Sequence, residues 1–237
     1  MWSKTLVPQV ALITFHMSKR KLKNECERCG TCCLKGGPAL HIEDQELLQQ
    51  NSIDRESLIT IRKGEPVFSL EQNRPEWIKA ELIKLKGIHG EWSCIFYDKN
   101  SSSCSIYQHR PLECIVLKCW DTAELEAIAG KSLLSRFDII PAHEPVIEYI
   151  HRHEKECSLE FIEQLLIKQN GTINKNSLAE LSELVNKDLV LRSEALANLN
   201  FTLYLELFYF GRPLFKILSQ FALIPREVNG RIELIQD

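Results

Sequence analysis

The sequence lacks the features that would place it in a simple structural class. Its apolar run near the N-terminus, Thr5 to Phe15, is too short to cross a bilayer and contains Pro8. Neither charge dominates, because 29 basic and 32 acidic residues give a formal net charge of −3, which does not favour nucleic acid as a partner. With 44% hydrophobic and 26% charged residues, the composition excludes a collagen-like rod, a coiled coil and a fully disordered chain.

Motifs of the common enzyme classes are also missing. No G-x-S-x-G, H-E-x-x-H, Walker or Rossmann pattern occurs, so the sequence leaves open whether the protein is an enzyme. A secretory signal is absent as well, because the basic residues Lys19 to Lys21 follow the apolar run instead of preceding it. We therefore expect a cytoplasmic protein without a membrane span. We also expect a flexible tail over residues 1–20, with Met17 as an alternative start of translation.

Cysteine is the residue type present in excess. There are nine cysteines, and the first four of them, Cys26, Cys29, Cys32 and Cys33, fall within eight residues that include Gly30. A C-x-x-C step lets two thiolates bind one ion from a tight turn, and glycine permits the backbone conformation that such a turn needs. In a reducing compartment this clustering indicates metal or redox chemistry and not a disulfide framework.

A second group of four cysteines, Cys94, Cys104, Cys114 and Cys119, follows later in the chain. Residues 92–107 predict a hairpin with a polar turn, which could bring these sulfurs back to the first group. Eight thiolates fit two tetrahedral sites, or one four-cysteine cluster plus a second ion. All-sulfur ligation suits zinc ions and an iron–sulfur cluster alike, so the pattern leaves the metal open.

Several basic residues lie close to these cysteines along the chain. Thiolates around divalent ions leave excess negative charge, which Arg28, Lys35, Arg110 and Lys118 are placed in sequence to offset. Arg110 is the best candidate, because Pro111 holds the residue before it extended and because it stands between two cysteines.

Beyond residue 121 the pattern becomes helical. Apolar residues at helical spacing predict helices over 122–128, 144–168, 177–199 and, as a buried pair interrupted by Gly211 to Pro213, 201–221. We expect an α+β fold with a loop-rich, small-β cysteine module at 21–121 and a mainly helical portion at 122–237. In this interpretation the metal takes the place of a core that the first module lacks.

The complete cysteine pattern resembles that of the YkgJ-type cysteine-cluster family, a zinc- or iron-chelating domain. The resemblance rests on Cys26-x-x-Cys29-Gly-x-Cys32-Cys33, on Cys94-x-Phe-Tyr-Asp and on Cys104-Ser-Ile-Tyr-x-x-Arg110-Pro111-x-x-Cys114, and it spans about residues 25–120. It implies that the metal ligands are Cys26, Cys29, Cys32, Cys33, Cys94, Cys104, Cys114 and Cys119.

The resemblance implies a metal site of unsettled identity and no firm activity. Three classes of function remain open at this point. The first is a protein with a structural metal and a protein partner, and the second is an iron–sulfur oxidoreductase or electron-transfer protein. The third is a modifying enzyme, since part of the family is similar to flagellin lysine N-methylases, although this chain has no glycine-rich nucleotide loop.

Overall fold

A computed structural model describes residues 24–69, 74–88, 91–167 and 173–236. The expected tail at 1–20 and the alternative start at Met17 lie outside the described residues. The α-helices are α1 (Thr31–Leu34), α2 (Gln45–Gln49), α3 (Leu112–Val116), α4 (Ala123–Ile128), α5 (Arg136–Ile139), α6 (Val146–Glu156), α7 (Leu159–Ile167), α8 (Lys175–Leu199), α9 (Glu206–Phe210) and α10 (Leu214–Leu218). The strands are β1 (Leu58–Ile61), β2 (Pro66–Ser69), β3 (Arg74–Trp77), β4 (Leu82–Leu85), β5 (Tyr97–Asp98), β6 (Ser103–Cys104), β7 (Leu223–Val228) and β8 (Arg231–Gln236).

The strands form small antiparallel pairs, which confirms the expected α+β class. In the described residues β1 pairs with β4, β2 with β3, β5 with β6, and β7 with β8. The first pair aligns Leu58 with Leu85, and the last aligns Leu223 with Gln236. The last pair was not expected from the sequence, because it lies within the portion interpreted as helical.

The helices of the C-terminal portion follow the predicted apolar spacing, and capping residues and a glycine mark where they begin and end. Helix α8 begins where the Asn174 side chain accepts a hydrogen bond from the Ser177 backbone N–H, and it ends at Asn200 in the left-handed region. Gly211, with φ of 68°, separates α9 from α10, and a Cβ there would lie 2.8 Å from the Thr60 carbonyl oxygen. No helix in the described ranges combines the length and the apolar character needed to cross a membrane.

One hydrophobic cluster draws on both the cysteine-bearing and the helical parts of the chain. Leu40, Leu58 and Ile83 are fully buried in it together with Phe208 and Phe210 of α9. The expectation that metal replaces a missing core is therefore wrong for this part of the cysteine-bearing segment, because its strands bury their apolar side chains against the helices. A second cluster lies between α7, α8, α10 and the β7–β8 hairpin. The boundary expected between residues 121 and 122 stays a prediction.

Buried ion pairs also cross between the two parts of the chain. The Glu154 carboxylate of α6 accepts hydrogen bonds from Arg62, at 2.8 and 2.9 Å, and from Arg136. Burial acts against ionisation of Glu154, but the two guanidiniums outweigh it and hold its pKa at about 2. Arg136 also contacts Glu81 at 2.9 Å. The Glu81 and Glu154 carboxylates, through Arg62 and Arg136, therefore connect α5 and α6 to the residues around β1 and β4.

A second buried polar network lies between α6, α8 and α10. The Asp188 carboxylate contacts His153 Nε2 at 2.6 Å, Arg192 Nε at 2.8 Å and the Leu214 backbone N–H at 2.9 Å. Burial, reinforced by the charge of Arg62, lowers the pKa of His153 to about 4. His153 is thus neutral in the folded protein at neutral pH.

This lowered pKa predicts a loss of stability on acidification. In the unfolded chain the histidine pKa is about 6.5, so below that pH the unfolded state binds a proton that the folded state refuses down to about pH 4. The loss from this residue between pH 7 and pH 5 is about 2 kcal/mol. We expect His153→Gln to flatten that pH dependence, measured by urea unfolding with a chelator present to remove metal.

His143→Gln is the matched control, because His143 is exposed. It should retain the pH dependence of the unsubstituted protein. Equal slopes for the His153→Gln variant and the unsubstituted protein would contradict the assignment.

Candidate metal centre

The first cysteine group lies on a loop that ends in the single turn of α1. Gly30 precedes this turn in the left-handed region, with φ of 73°, and its carbonyl oxygen accepts a hydrogen bond from the Leu34 N–H at 2.9 Å. The turn places the sulfurs of Cys32 and Cys33 4.0 Å apart. The Cys29 sulfur lies 3.3 Å from the Thr31 hydroxyl oxygen.

The hairpin brings two cysteines of the second group to this turn. The Cys94 backbone N–H donates to the Cys33 carbonyl oxygen at 2.8 Å, which joins the two segments directly. Cys104 pairs with Tyr97 in the β5–β6 register. The Asp98 carboxylate closes the hairpin by accepting hydrogen bonds from the Asn100 backbone N–H and the Ser101 hydroxyl. The predicted hairpin is confirmed, although its paired strands are only two residues long.

Helix α3 positions Cys114 through two acidic side chains. Asp44 accepts a hydrogen bond from the Leu112 N–H at 2.8 Å, in the first turn of α3. Glu113 accepts one from the Ala39 N–H at 2.8 Å and lies 3.4 Å from His41 Nε2. Sequence analysis missed these positioning residues, because single acidic residues and a single histidine carry no recognisable motif.

These elements bring five thiols from the cysteine turn, the hairpin and α3 near enough to affect one another's ionisation, namely Cys32, Cys33, Cys94, Cys104 and Cys114. Burial, together with the neighbouring Cys32, Cys94 and Cys104, raises the pKa of Cys33 to about 12. Burial likewise raises the pKa values of Cys94 and Cys114, with additional repulsion from the other thiols. Without a cation beside them, Cys33, Cys94 and Cys114 are therefore neutral at pH 7.

The remaining cysteines differ in their surroundings. Cys26, Cys29 and Cys119 lie at the outer ends of the two cysteine segments and are exposed, as Cys32 also is. Cys157 is fully buried within the C-terminal hydrophobic cluster, so it belongs to the core of the helical portion. None of the nine cysteines, all of which lie in the described ranges, forms a disulfide bond.

Lys84 is the basic residue that acts on the gathered thiols. Its charge lowers the pKa of Cys94, and burial lowers the pKa of the Lys84 amine itself. It occupies a partly buried position on β4, between apolar neighbours. No sequence motif singles out Lys84, since a lysine in a short strand is ordinary. Of the basic residues expected to offset thiolate charge, Lys118 instead contacts Glu124.

The chemistry of these thiols suits a zinc or iron centre, although in the described residues no three of their sulfur atoms all lie within 4.8 Å of one another. Thiolates are soft ligands that suit both metals, and four of them complete a tetrahedral shell. Sulfurs bound to one zinc ion lie about 3.8 Å apart, given Zn–S bonds of about 2.3 Å. The Cys32 and Cys33 sulfurs, at 4.0 Å, are close to that separation.

A different set of three potential ligand types lies in the helical core. Within the described ranges, His153, Cys157 and Asp188 form the one group of three or more histidine, cysteine or acidic ligand atoms that all lie within 4.8 Å of one another. Asp188 is already bound by Arg192 and by the Leu214 N–H, and Arg62 also acts on His153. We therefore interpret this group as part of the buried ion-pair network.

Comparison with known families agrees with the chemistry of the gathered thiols. Residues 25–132 match the family model described as "CxxCxxCC: Putative zinc- or iron-chelating domain". This segment is similar to the CxxCxxCC domain, and we call it by that name below. The match extends beyond the last cysteine of the cluster and ends just before Leu133, whose neighbour Leu134 enters the shared hydrophobic cluster. No curated protein and no solved structure matches the chain.

The contact between the CxxCxxCC turn and the hairpin gives a test of how the site is assembled. A Cβ on Gly30 would lie 1.9 Å from the Tyr97 hydroxyl oxygen, so Gly30→Ala must displace either the cysteine turn or the tyrosine. We expect a lower melting temperature, and faster reaction of the buried thiols with a thiol reagent.

Gly130→Ala provides the control for backbone strain alone. Gly130 has the same φ of 73°, but a Cβ there meets nothing within 4 Å. Both substitutions carry the left-handed penalty of about 1–2 kcal/mol, so only the contact with Tyr97 distinguishes them. If the two variants melt alike and their thiols react alike, the proposed packing of the site is wrong.

Proposed function

We propose that the CxxCxxCC domain binds zinc ions or an iron–sulfur cluster through cysteine thiolates, and that this centre fixes the fold of the loops that carry it. The observation that supports this most directly is the gathering of five thiols from separate segments. Burial and mutual repulsion make ionisation of neighbouring thiols unfavourable. A bound metal cation removes that cost, so a cluster of thiols is what a metal site requires.

The five gathered thiols form the inner ligand set of this proposal. Four of them are enough for one tetrahedral centre. Cys26, Cys29 and Cys119 complete the set of eight, and with one inner thiol they can bind a second ion. Because each thiol must lose its proton to bind, metal uptake releases protons and weakens as the pH falls.

The packing around the cysteines favours a structural role for the proposed metal centre. The strands next to the cysteines have their own apolar core, but the cysteine loop and the hairpin are short and rely on few backbone hydrogen bonds. Four large apolar side chains near candidate ligands are exposed, namely Leu34, Trp92, Ile115 and Trp120. Such side chains are typical of contact sites, which supports a protein partner at this face.

We also place the protein in the cytoplasm as part of this proposal. The ligand set requires reduced cysteines, and cytoplasmic redox conditions keep thiols reduced.

Substitution of an inner ligand is the sharpest test of the site. We expect Cys114→Ser to lower the metal content of anaerobically purified protein, or to weaken metal binding by at least about tenfold, as measured by elemental analysis and competition with a chelator. Cys157→Ser is the control, because Cys157 is a buried cysteine outside the proposed ligand set. A Cys114→Ser variant that retains the full metal content with unchanged affinity would refute its role.

Metal removal tests the structural role and identifies the metal. Bound iron–sulfur clusters absorb visible light, whereas zinc-loaded protein is colourless. We expect chelation to make the segments at 24–36 and 91–121 sensitive to protease, while the helical core around α8 stays resistant. Unchanged protease resistance of these two segments in protein shown to be metal-free would argue against a structural metal.

A further inference from the structure

Two arginine side chains of the CxxCxxCC domain stack on the same aromatic ring. The guanidinium carbon of Arg28 lies 4.3 Å from the centre of the Tyr107 ring, and that of Arg110 lies 3.7 Å from it. The two guanidiniums are thus no farther apart than the sum of these distances. Two positive charges thus lie beside one ring, and they repel each other unless an anion lies nearby.

The protein supplies no such anion within its described residues. Neither Arg28 nor Arg110 has a carboxylate partner there, whereas the buried guanidiniums of Arg62 and Arg136 both contact Glu154. The Arg110 Nε atom is in addition buried without a hydrogen-bond acceptor. Buried N–H groups almost always have an acceptor, so this one indicates a missing partner.

The backbone holds both arginines in place for such a partner. Arg110 has φ of −70° and ψ of 141°, the extended conformation that the following Pro111 imposes. Arg28 has φ of 53°, which is a left-handed conformation that few residues other than glycine adopt. Tyr107 lies in the turn between Cys104 and Arg110, so the two arginines and the ring lie in the same part of the chain as the candidate metal ligands.

A different cation lowers the pKa of a thiol in the cysteine cluster. Lys84 is the residue whose charge acts on Cys94. A guanidinium over a ring still has N–H donors at its edge, and these donors fit the paired oxygens of a carboxylate or a phosphate.

We propose that Arg28 and Arg110, stacked on Tyr107, form a binding site for an oxyanion group of a small ligand, a phosphate or a carboxylate. The Nε and Nη edges of the two guanidiniums donate hydrogen bonds to its oxygens, and the anion neutralises the paired positive charges. This site does not depend on whether the thiols bind metal.

Titration of the full-length, reduced protein with inorganic phosphate tests the site. The Tyr107 ring resonances report binding by NMR, in both metal-free and metal-loaded protein, with sodium chloride at matched ionic strength as the reference. We expect a saturable shift with phosphate and none with chloride. Malonate is the second probe, and whichever of the two binds more tightly identifies the oxyanion class.

Substitutions separate a built site from diffuse attraction. Arg28→Gln and Arg110→Gln should each weaken phosphate or malonate binding at least about tenfold, because each removes one guanidinium edge. Arg110→Lys should restore it only partly, because lysine keeps the charge but lacks the fork. Lys35→Gln, which removes an exposed positive charge near the cysteines, should leave the affinity unchanged.

Three results would overturn the proposal. The first is the absence of saturable binding of either oxyanion, and the second is an equal loss of affinity in the Lys35→Gln variant. The third is a fall in metal content in the arginine variants without any change in oxyanion affinity, which would make the arginines part of the metal centre. Because metal content is measured separately, failure here leaves the proposed metal binding to its own test.

Discussion

Repulsion between neighbouring thiolates is the physical constraint on which the cysteine-bearing face depends. Sulfhydryl groups from distant parts of the chain lie beside one another, and each makes ionisation of the next less favourable. The protein can keep them protonated, as burial does in the folded chain without metal, or it can place positive charge among them. Lys84 supplies one positive charge, which is too little for five thiolates.

The arrangement that creates this constraint is assembled by short-range contacts. Gly30 lets the Tyr97 ring lie against the cysteine turn, and the backbone of Cys33 binds that of Cys94. Asp44 and Glu113 attach α3 to the segment before α2. Each contact is small, and the apolar core beneath them sets the position of the strands and turns on which they depend.

Much of this could be predicted from the sequence where a signal repeats or a residue is unusual. The long helix α8 follows from apolar spacing, the break between α9 and α10 from Gly211 and Pro213, and the cysteine clustering from composition. The β7–β8 hairpin and the side chain of Lys84 could not be predicted in this way. Their positions depend on contacts with residues far away in the chain, and no local pattern reports such contacts.

The positions of the eight candidate ligands show the same limit. Their spacing indicated convergence, and five of them affect one another's ionisation, while Cys26, Cys29 and Cys119 lie outside this group. The Arg28 and Arg110 side chains, expected to offset thiolate charge, stack on Tyr107, a contact that the spacing did not predict. Sequence spacing locates a residue along the chain, but the direction of its side chain follows from the local backbone. Here that backbone is set by the left-handed conformation of Arg28 and by Pro111.

The hydrophobic cluster that unites Leu40, Leu58 and Ile83 with Phe208 and Phe210 has a practical meaning for the CxxCxxCC segment. A fragment cut at residue 132 would lose the helices that cover these strands, and it would present their apolar faces to water. Aggregation of such a fragment would result from these exposed apolar faces, and it would not show whether the cysteine loops are correctly folded. Within the intact polypeptide, the helical half keeps the strands of the cysteine-bearing half shielded from water.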